Sequence, residues 1–272
     1  TAVVGAGEQS GHLGLVLERL ADDLQEQQNL RGKLLAAGLY PAIVCVVALV
    51  IVLFLLAYVV PQVAQVFGSN QQQLPALTSV MLALSSFVQN FWLWGLLLIA
   101  TLSAGGHVAL KQADVRLRFD AAWLQLPLIG RLARGYNAAR FASTLAMLAT
   151  AGVPILKALQ AAADTLSNTA LKRDAQDALV LVREGAPLAS ALAQHPRFPR
   201  LLVMFSRLGE QTGTLPTMLQ RAASQLSEEV QRRALQLATI LEPLLIVAMG
   251  AMVMLIVLAV MLPIIQLNQW VR

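Results

Sequence analysis

The chain has 272 residues, 57% hydrophobic and 13% charged, with a formal net charge of +5. Soluble domains carry roughly 25% charged residues, so the composition excludes an ordinary soluble enzyme and points to a membrane-embedded protein. The charge deficit is uneven: no Asp, Glu, Lys or Arg occurs from Leu34 to Leu110 or from Pro243 to Val271.

In chain order, residues 1–38 read as the end of a first cytoplasmic helical domain. They carry Gly7-Glu8-Gln9-Ser10-Gly11, then Leu13, Leu17, Leu20 and Leu24 at helical spacing, a single apolar stripe that packs on neighbouring helices. A first transmembrane helix follows over 39–60, bounded by Pro61; about 20 apolar residues suffice to cross roughly 30 Å of hydrocarbon. Cys45 lies inside it, and a lone cysteine forms neither an internal disulfide nor a metal cluster. Residues 61–90 form a loop with Leu77, Val80, Met81, Leu84 and Val88 at helical spacing, which predicts a short amphipathic helix over 76–89 on or near the membrane surface. A second span covers 91–110, opening on Trp92 and Trp94, an interfacial aromatic pair.

From 111 to 242 the punctuation marks a second cytoplasmic helical domain. Gly152-Val153-Pro154, Asn168, Gly185-Ala186-Pro187, His195-Pro196, Phe198-Pro199 and Gly213 divide it into helices over 131–150, 154–167, 169–184, 187–194 and 199–211, with Pro at starts and Gly at ends. A further helix starts near Thr214, carries the stripe Leu215, Leu219, Ala222, Leu226 and Val230, and continues toward a third span over 243–262. Pro243 is expected to kink it, because proline removes a backbone hydrogen bond. A tail, 263–272, ends the chain. No segment alternates with period two, so no β-sheet is predicted. The predicted class is all-α: three transmembrane helices and an antiparallel cytoplasmic helical bundle.

Orientation follows from the cations. The loop 61–90 has no Lys or Arg, whereas 111–239 has 16 and residues 1–33 have three. That asymmetry puts the N-terminal segment and 111–239 in the cytoplasm, and the loop 61–90 and the tail in the periplasm.

The chain also repeats itself. Gly7-Glu8-Gln9-Ser10-Gly11 returns as Gly209-Glu210-Gln211-Thr212-Gly213, and the offset of 202 holds without a gap from 7–65 to 209–267, with close to a third of the pairs identical. Each copy is a cytosolic helix feeding a membrane helix. A whole helical domain precedes the second motif and six residues precede the first, so the first cytoplasmic domain is expected to extend upstream.

No catalytic constellation emerges. There is no G-x-x-x-x-G-K-[ST], no G-x-G-x-x-G and no G-x-S-x-G. His12, His107 and His195 have no second ligand three to five residues on, so no metal or cofactor is expected. The cations are scattered singly without interleaved aromatics, which argues against nucleic acid. The candidate contact residues are Glu8, Gln9, Glu210 and Gln211 of the repeated motif, together with Glu242 and Pro243. The motif's glycines read as helix ends and close packing points; its Glu and Gln satisfy backbone donors or contact a partner or divalent cation. Glu242 stands at the mouth of the third span, where a carboxylate either reaches water or contacts another span or subunit. Its counterpart in the first copy is Tyr40, so the carboxylate is not duplicated.

The paired Gly-Glu-Gln-[Ser/Thr]-Gly motifs, each followed by an amphipathic helix and a Pro-led span, resemble the inner-membrane platform proteins of type II secretion and type IV pilus assembly. So do Arg140 to Leu145 with Gly152-Val153-Pro154-Ile155, Arg183-Glu184-Gly185 with Phe198-Pro199, and Leu241-Glu242-Pro243-Leu244-Leu245. The tail Leu262-Pro263-Ile264-Ile265-Gln266-Leu267-Asn268 favours the type II secretion branch, general secretion pathway protein F. The resemblance implies a non-enzymatic, homo-oligomeric scaffold in the lipid of the bacterial inner membrane. It binds the cytoplasmic secretion ATPase and bitopic platform proteins, and passes ATPase-driven motion to pseudopilins. A membrane transporter subunit is the competing class, but the copies run in parallel sense and spans one and three lack ionisable groups.

Overall fold

A computed structural model describes residues 13–62 and 76–270, and every regular element among them is helical. Helix α1 spans Leu13–Phe54 and runs into a π-helical turn, Leu55–Val59. Then come α2 (Ala76–Ala109), α3 (Ala113–Trp123), α4 (Ile129–Thr150) and α5 (Ile155–Asp164). They are followed by α6 (Thr169–Arg183), α7 (Leu188–Ala193), α8 (Arg200–Thr212) and α9 (Leu215–Trp270). Helices α4 to α8 fall close to their predicted limits because glycine and proline set those limits; α9 runs past Pro263, where a tail was expected. Pro154, Pro187 and Pro199 cap α5, α7 and α8, while Gly152, Gly185 and Gly213 take positive φ just past α4, α6 and α8.

The described residues form two units, one from 13–35 and 108–236, the other from 36–62, 76–107 and 237–270. Helices α1 and α9 contribute to both. The first unit has a continuous apolar core. Phe141, Leu145 and Leu148 of α4 meet Leu159, Leu171, Leu192, Leu202 and Leu219 from α5, α6, α7, α8 and α9, all with no exposed surface. Phe141 packs on Phe198 at 5.4 Å between ring centroids. The start of α6 is doubly fixed. Asn168 Oδ1 accepts from the amides of Ala170 and Leu171, and the Asp120 carboxylate of α3 accepts from the amide and hydroxyl of Thr169, both at 2.7 Å.

Helix α3 was not among the sequence expectations. Its N-cap, Gln112, makes no side-chain cap bond, and none of its residues is fully buried, although Leu117 and Ala121 pack on the core.

The second unit is mostly exposed apolar surface. Its buried cluster is small: Leu56, Val60, Met81, Ile256 and Ala259. Two helical stretches, Gln28–Gln62 and Leu215–Leu262, are long and apolar enough to cross a membrane. Helix α2 gives a third if its segments Ala76–Phe91 and Leu93–Ala109, bent by 59°, count as one span. The bend falls where the sequence separates a short helix from a span. Pro243 lies inside α9 without ending it.

Candidate functional site

The second Gly-Glu-Gln motif occupies the end of α8. Gly213 takes φ +68°, and the Thr214 amide donates to Gly209 O at 3.0 Å, a left-handed closure for which glycine has no Cβ penalty. A Cβ on Gly209 would lie 2.7 Å from Leu215 Cα, so this glycine permits α8 and α9 to turn back on each other. Glu210 reaches outside its own turn. Its carboxylate accepts from the amides of Leu188 and Ala189, at 2.5 and 3.3 Å. These are the orphan donors at the start of α7, where a negative charge is favoured. Gln211 is exposed. Glu8 and Gln9 lie outside the described residues.

At the head of the apolar unit, the Tyr40 hydroxyl lies beside the Glu242 carboxylate. These two residues occupy the same place in the two repeat copies, so the copies meet through one equivalent position. Pro41 is buried there and Pro243 exposed. Further along, α2 grips both copies. Gln89 Nε2 donates to Ala57 O at 2.6 Å, Ser85 Oγ to Leu56 O at 2.5 Å and Thr78 Oγ1 to Ala259 O at 2.7 Å. Ala57 and Ala259 are again separated by the repeat offset. Leu56 and Ala57 fall inside the π turn, where Val60 bonds back to Leu55 O; such turns recur at functional sites.

A strongly charged cavity belongs to the first unit. Arg131 and Arg134 of α4, Arg197 and Arg200 at the entry to α8, and Arg233 of α9 line about 270 Å³ together with Glu229. Sequence alone presented these cations as scattered; the fold brings five to one place. Arg233 pairs with Glu229 one turn away at 2.5 Å. Arg197 is held from behind by buried Asp174, Nη1 to Oδ1 2.7 Å, with His195 Nδ1 3.6 Å from the same oxygen. Gly135 brings α4 and α9 together, since a Cβ there would lie 2.7 Å from Val230 Cγ2. No group of three or more His, Cys, Asp or Glu placed to hold a metal occurs among the described residues.

The profile of the family described as type II secretion system (T2SS), protein F, matches residues 1–61 and 141–263. The chain belongs to this family. The two matched blocks end at Pro61 and Pro263, separated by the offset of the internal repeat. Among relatives, type II secretion system protein F of Pseudomonas aeruginosa is 41% identical over 273 residues, covering 99% of this chain and 67% of the relative. The protein of the same name from Aeromonas hydrophila is 40% identical, covering 100% and 70%. Type IV pilus assembly protein PilC of Thermus thermophilus is 37% identical, covering 96% and 64%. The chain thus spans about two thirds of the length of these T2SS protein F family relatives. Their names are those of secretion and pilus machinery, not of enzymes.

Proposed function

We propose that this chain is an inner-membrane platform protein of a type II secretion system, coupling a cytoplasmic secretion ATPase to pseudopilus assembly. The observation that carries the reading is the continuity of α9. One 56-residue helix buries Leu219 and Leu226 in the first unit and Ile256 and Ala259 in the second. At about 1.5 Å per residue it is roughly 84 Å long. A helix anchored at both ends carries displacement from one unit to the other with no chemistry of its own.

In this reading three helices cross the inner membrane, at 39–60, 91–110 and 243–262. Residues 1–38 and 111–242, the latter an antiparallel bundle, are cytoplasmic; 61–90 and 263–272 are periplasmic. The five-arginine cavity receives carboxylates of a partner's acidic segment. Bitopic platform proteins, pseudopilins and further copies of this chain bind elsewhere. Glu210 holds local architecture with exposed Gln211 beside it, and the repeat assigns Glu8 and Gln9 the same two roles. Glu242, oriented by Tyr40 and followed by Pro243, ties the spans together. Glu242→Ala should therefore reduce secretion while leaving membrane insertion intact, and normal secretion by that variant would remove Glu242 from the site.

The test is photocrosslinking in intact cells from residues introduced across 131–233. Recovery of the secretion ATPase, lost on Arg131→Glu with Arg200→Glu, is the expected result; recovery of unrelated soluble enzymes alone would overturn it. The 37% identity to a pilus assembly protein supports a second reading, a type IV pilus platform. Loss of pili rather than of secreted protein on deletion would favour it.

A further inference from the structure

Helix α3 presents two faces with different work. On its inner face Leu117, Ala121 and buried Leu124 pack on the core, and Asp120 is fixed to Thr169. The outer face is therefore held rigidly outward. It carries Val115 and Phe119, with Trp123 at its edge beside the cavity that Asp120 also lines, and the turn beyond adds Leu126 and Leu128, each between 37% and 58% exposed. Phe119 and Trp123 stack with centroids 6.0 Å apart. A contiguous exposed apolar patch on an otherwise well-packed unit marks an interaction site.

The charges say what kind. At roughly 100° per residue, Val115, Phe119 and Trp123 form one stripe, with Arg116 on one edge and Arg118 on the other. An apolar stripe bordered on both sides by long cations, with aromatics inside it, is the pattern of a helix lying in a headgroup layer. There the rings enter the acyl boundary while the guanidinium groups reach phosphate. The chain path agrees. Residues 110–112 alone separate α2 from α3, a reach of at most about 14 Å, and Lys111 is the first charged residue after the long apolar stretch.

We propose that the outer face of α3 and its following turn docks on an anionic lipid surface, setting the first unit against the membrane. The inference rests on α2 being membrane-embedded and goes beyond the platform reading, which assigns α3 nothing. Docking restricts how the unit can pivot, so a pull at the arginine cavity would be passed along α9 instead of being lost in rocking of the unit.

The test uses the full chain with Cys45→Ser, reconstituted in vesicles of phosphatidylethanolamine and phosphatidylglycerol. Single nitroxide labels are attached through Phe119→Cys, Leu126→Cys, Gln176→Cys or Leu98→Cys. Power saturation then compares access of oxygen with access of a water-soluble nickel chelate. The labels at 119 and 126 should favour oxygen and the label at 176 nickel. In neutral phosphatidylcholine, the first two should move toward nickel. With Arg116→Gln and Arg118→Gln, read from the label at 126, the docked fraction relative to the free should fall about five-fold for each arginine removed. Nickel access at 119 and 126 equal to that at 176 would overturn the proposal. So would protection that persists unchanged in neutral lipid and in detergent, which would mean a protein covers the face. Nickel access at 98 would overturn the membrane reading of α2 and the proposal with it.

Discussion

The two copies of the repeat hold the same leucine stripe in opposite surroundings. Leu219 and Leu226 of the second copy are 0% and 2% exposed, whereas their counterparts Leu17 and Leu24 are 45% and 48% exposed. The second stripe joins the core of the first unit, beside α4 and α8; Leu17 and Leu24 of the first are exposed among the described residues. Among the described residues the same pattern is buried in the second copy and exposed in the first. What differs is the set of helices around it, so the pattern fixes the helix and its apolar face but not the burial of that face.

The largest effect should separate the copies directly. Leu219→Ala should destabilise the first unit by about 2–5 kcal/mol, the range for emptying a packed leucine site. Leu17→Ala should change stability by under about 0.5 kcal/mol, as at an exposed position. Pulse proteolysis in urea on the detergent-solubilised chain reads both; equal losses would mean that the first stripe is covered too.

Gly209→Ala sharpens the same contrast at the turn. The added Cβ meets Leu215 Cα at 2.7 Å, and overpacking against backbone costs about 1–3 kcal/mol. An unchanged midpoint would show that α8 and α9 separate freely.

Glu210→Gln comes next, at about 1 kcal/mol, because the amides of Leu188 and Ala189 lose a charged acceptor and keep a neutral one. Hydrogen exchange at those two amides should speed up, while exchange at Ala170 and Leu171, capped by Asn168, stays unchanged.

The smallest effect concerns Asp164. The Lys172 ammonium 2.9 Å away holds its carboxyl below the ordinary carboxylate value, with Gln160 adding a weaker bond at 3.4 Å. A depressed folded pKa means the pair stabilises above the unfolded carboxylate pKa, and that stability is lost as pH falls through the folded value. Both groups are more than a third exposed, so solvent screening limits the contribution to under about 1 kcal/mol. Asp164→Asn should lower the neutral midpoint slightly and leave the midpoint below the folded carboxylate pKa unmoved, which flattens the acid limb.

The helices of the first unit were readable because glycine and proline punctuate them. Gly152, Gly185 and Gly213 end three, and Pro154, Pro187 and Pro199 start three. Helix α3 was not readable because Gln112 supplies no cap and its apolar residues divide between an inner face, Leu117 and Ala121, and an outer one, Val115 and Phe119, so no single stripe stands out. The arginine cavity was hidden for another reason. Its cations come from α4, the α8 entry and α9, and no local window contains all of them. The Tyr40–Glu242 contact was obscured by the repeat itself. Comparing the copies marks the pair as a mismatch, whereas in three dimensions the mismatch sets a hydroxyl beside a carboxylate.

That contact also gives the most direct test that two same-sense rods stand side by side and move load between the units. With Cys45→Ser, Tyr40→Cys and Glu242→Cys, a short bifunctional methanethiosulfonate should link α1 to α9 within one chain in native membranes. Secretion, already lowered by the loss of Glu242, should fall further on linking and return to the unlinked variant's level with reductant. Linking only between chains, or linking within one chain with secretion undiminished, would contradict the account.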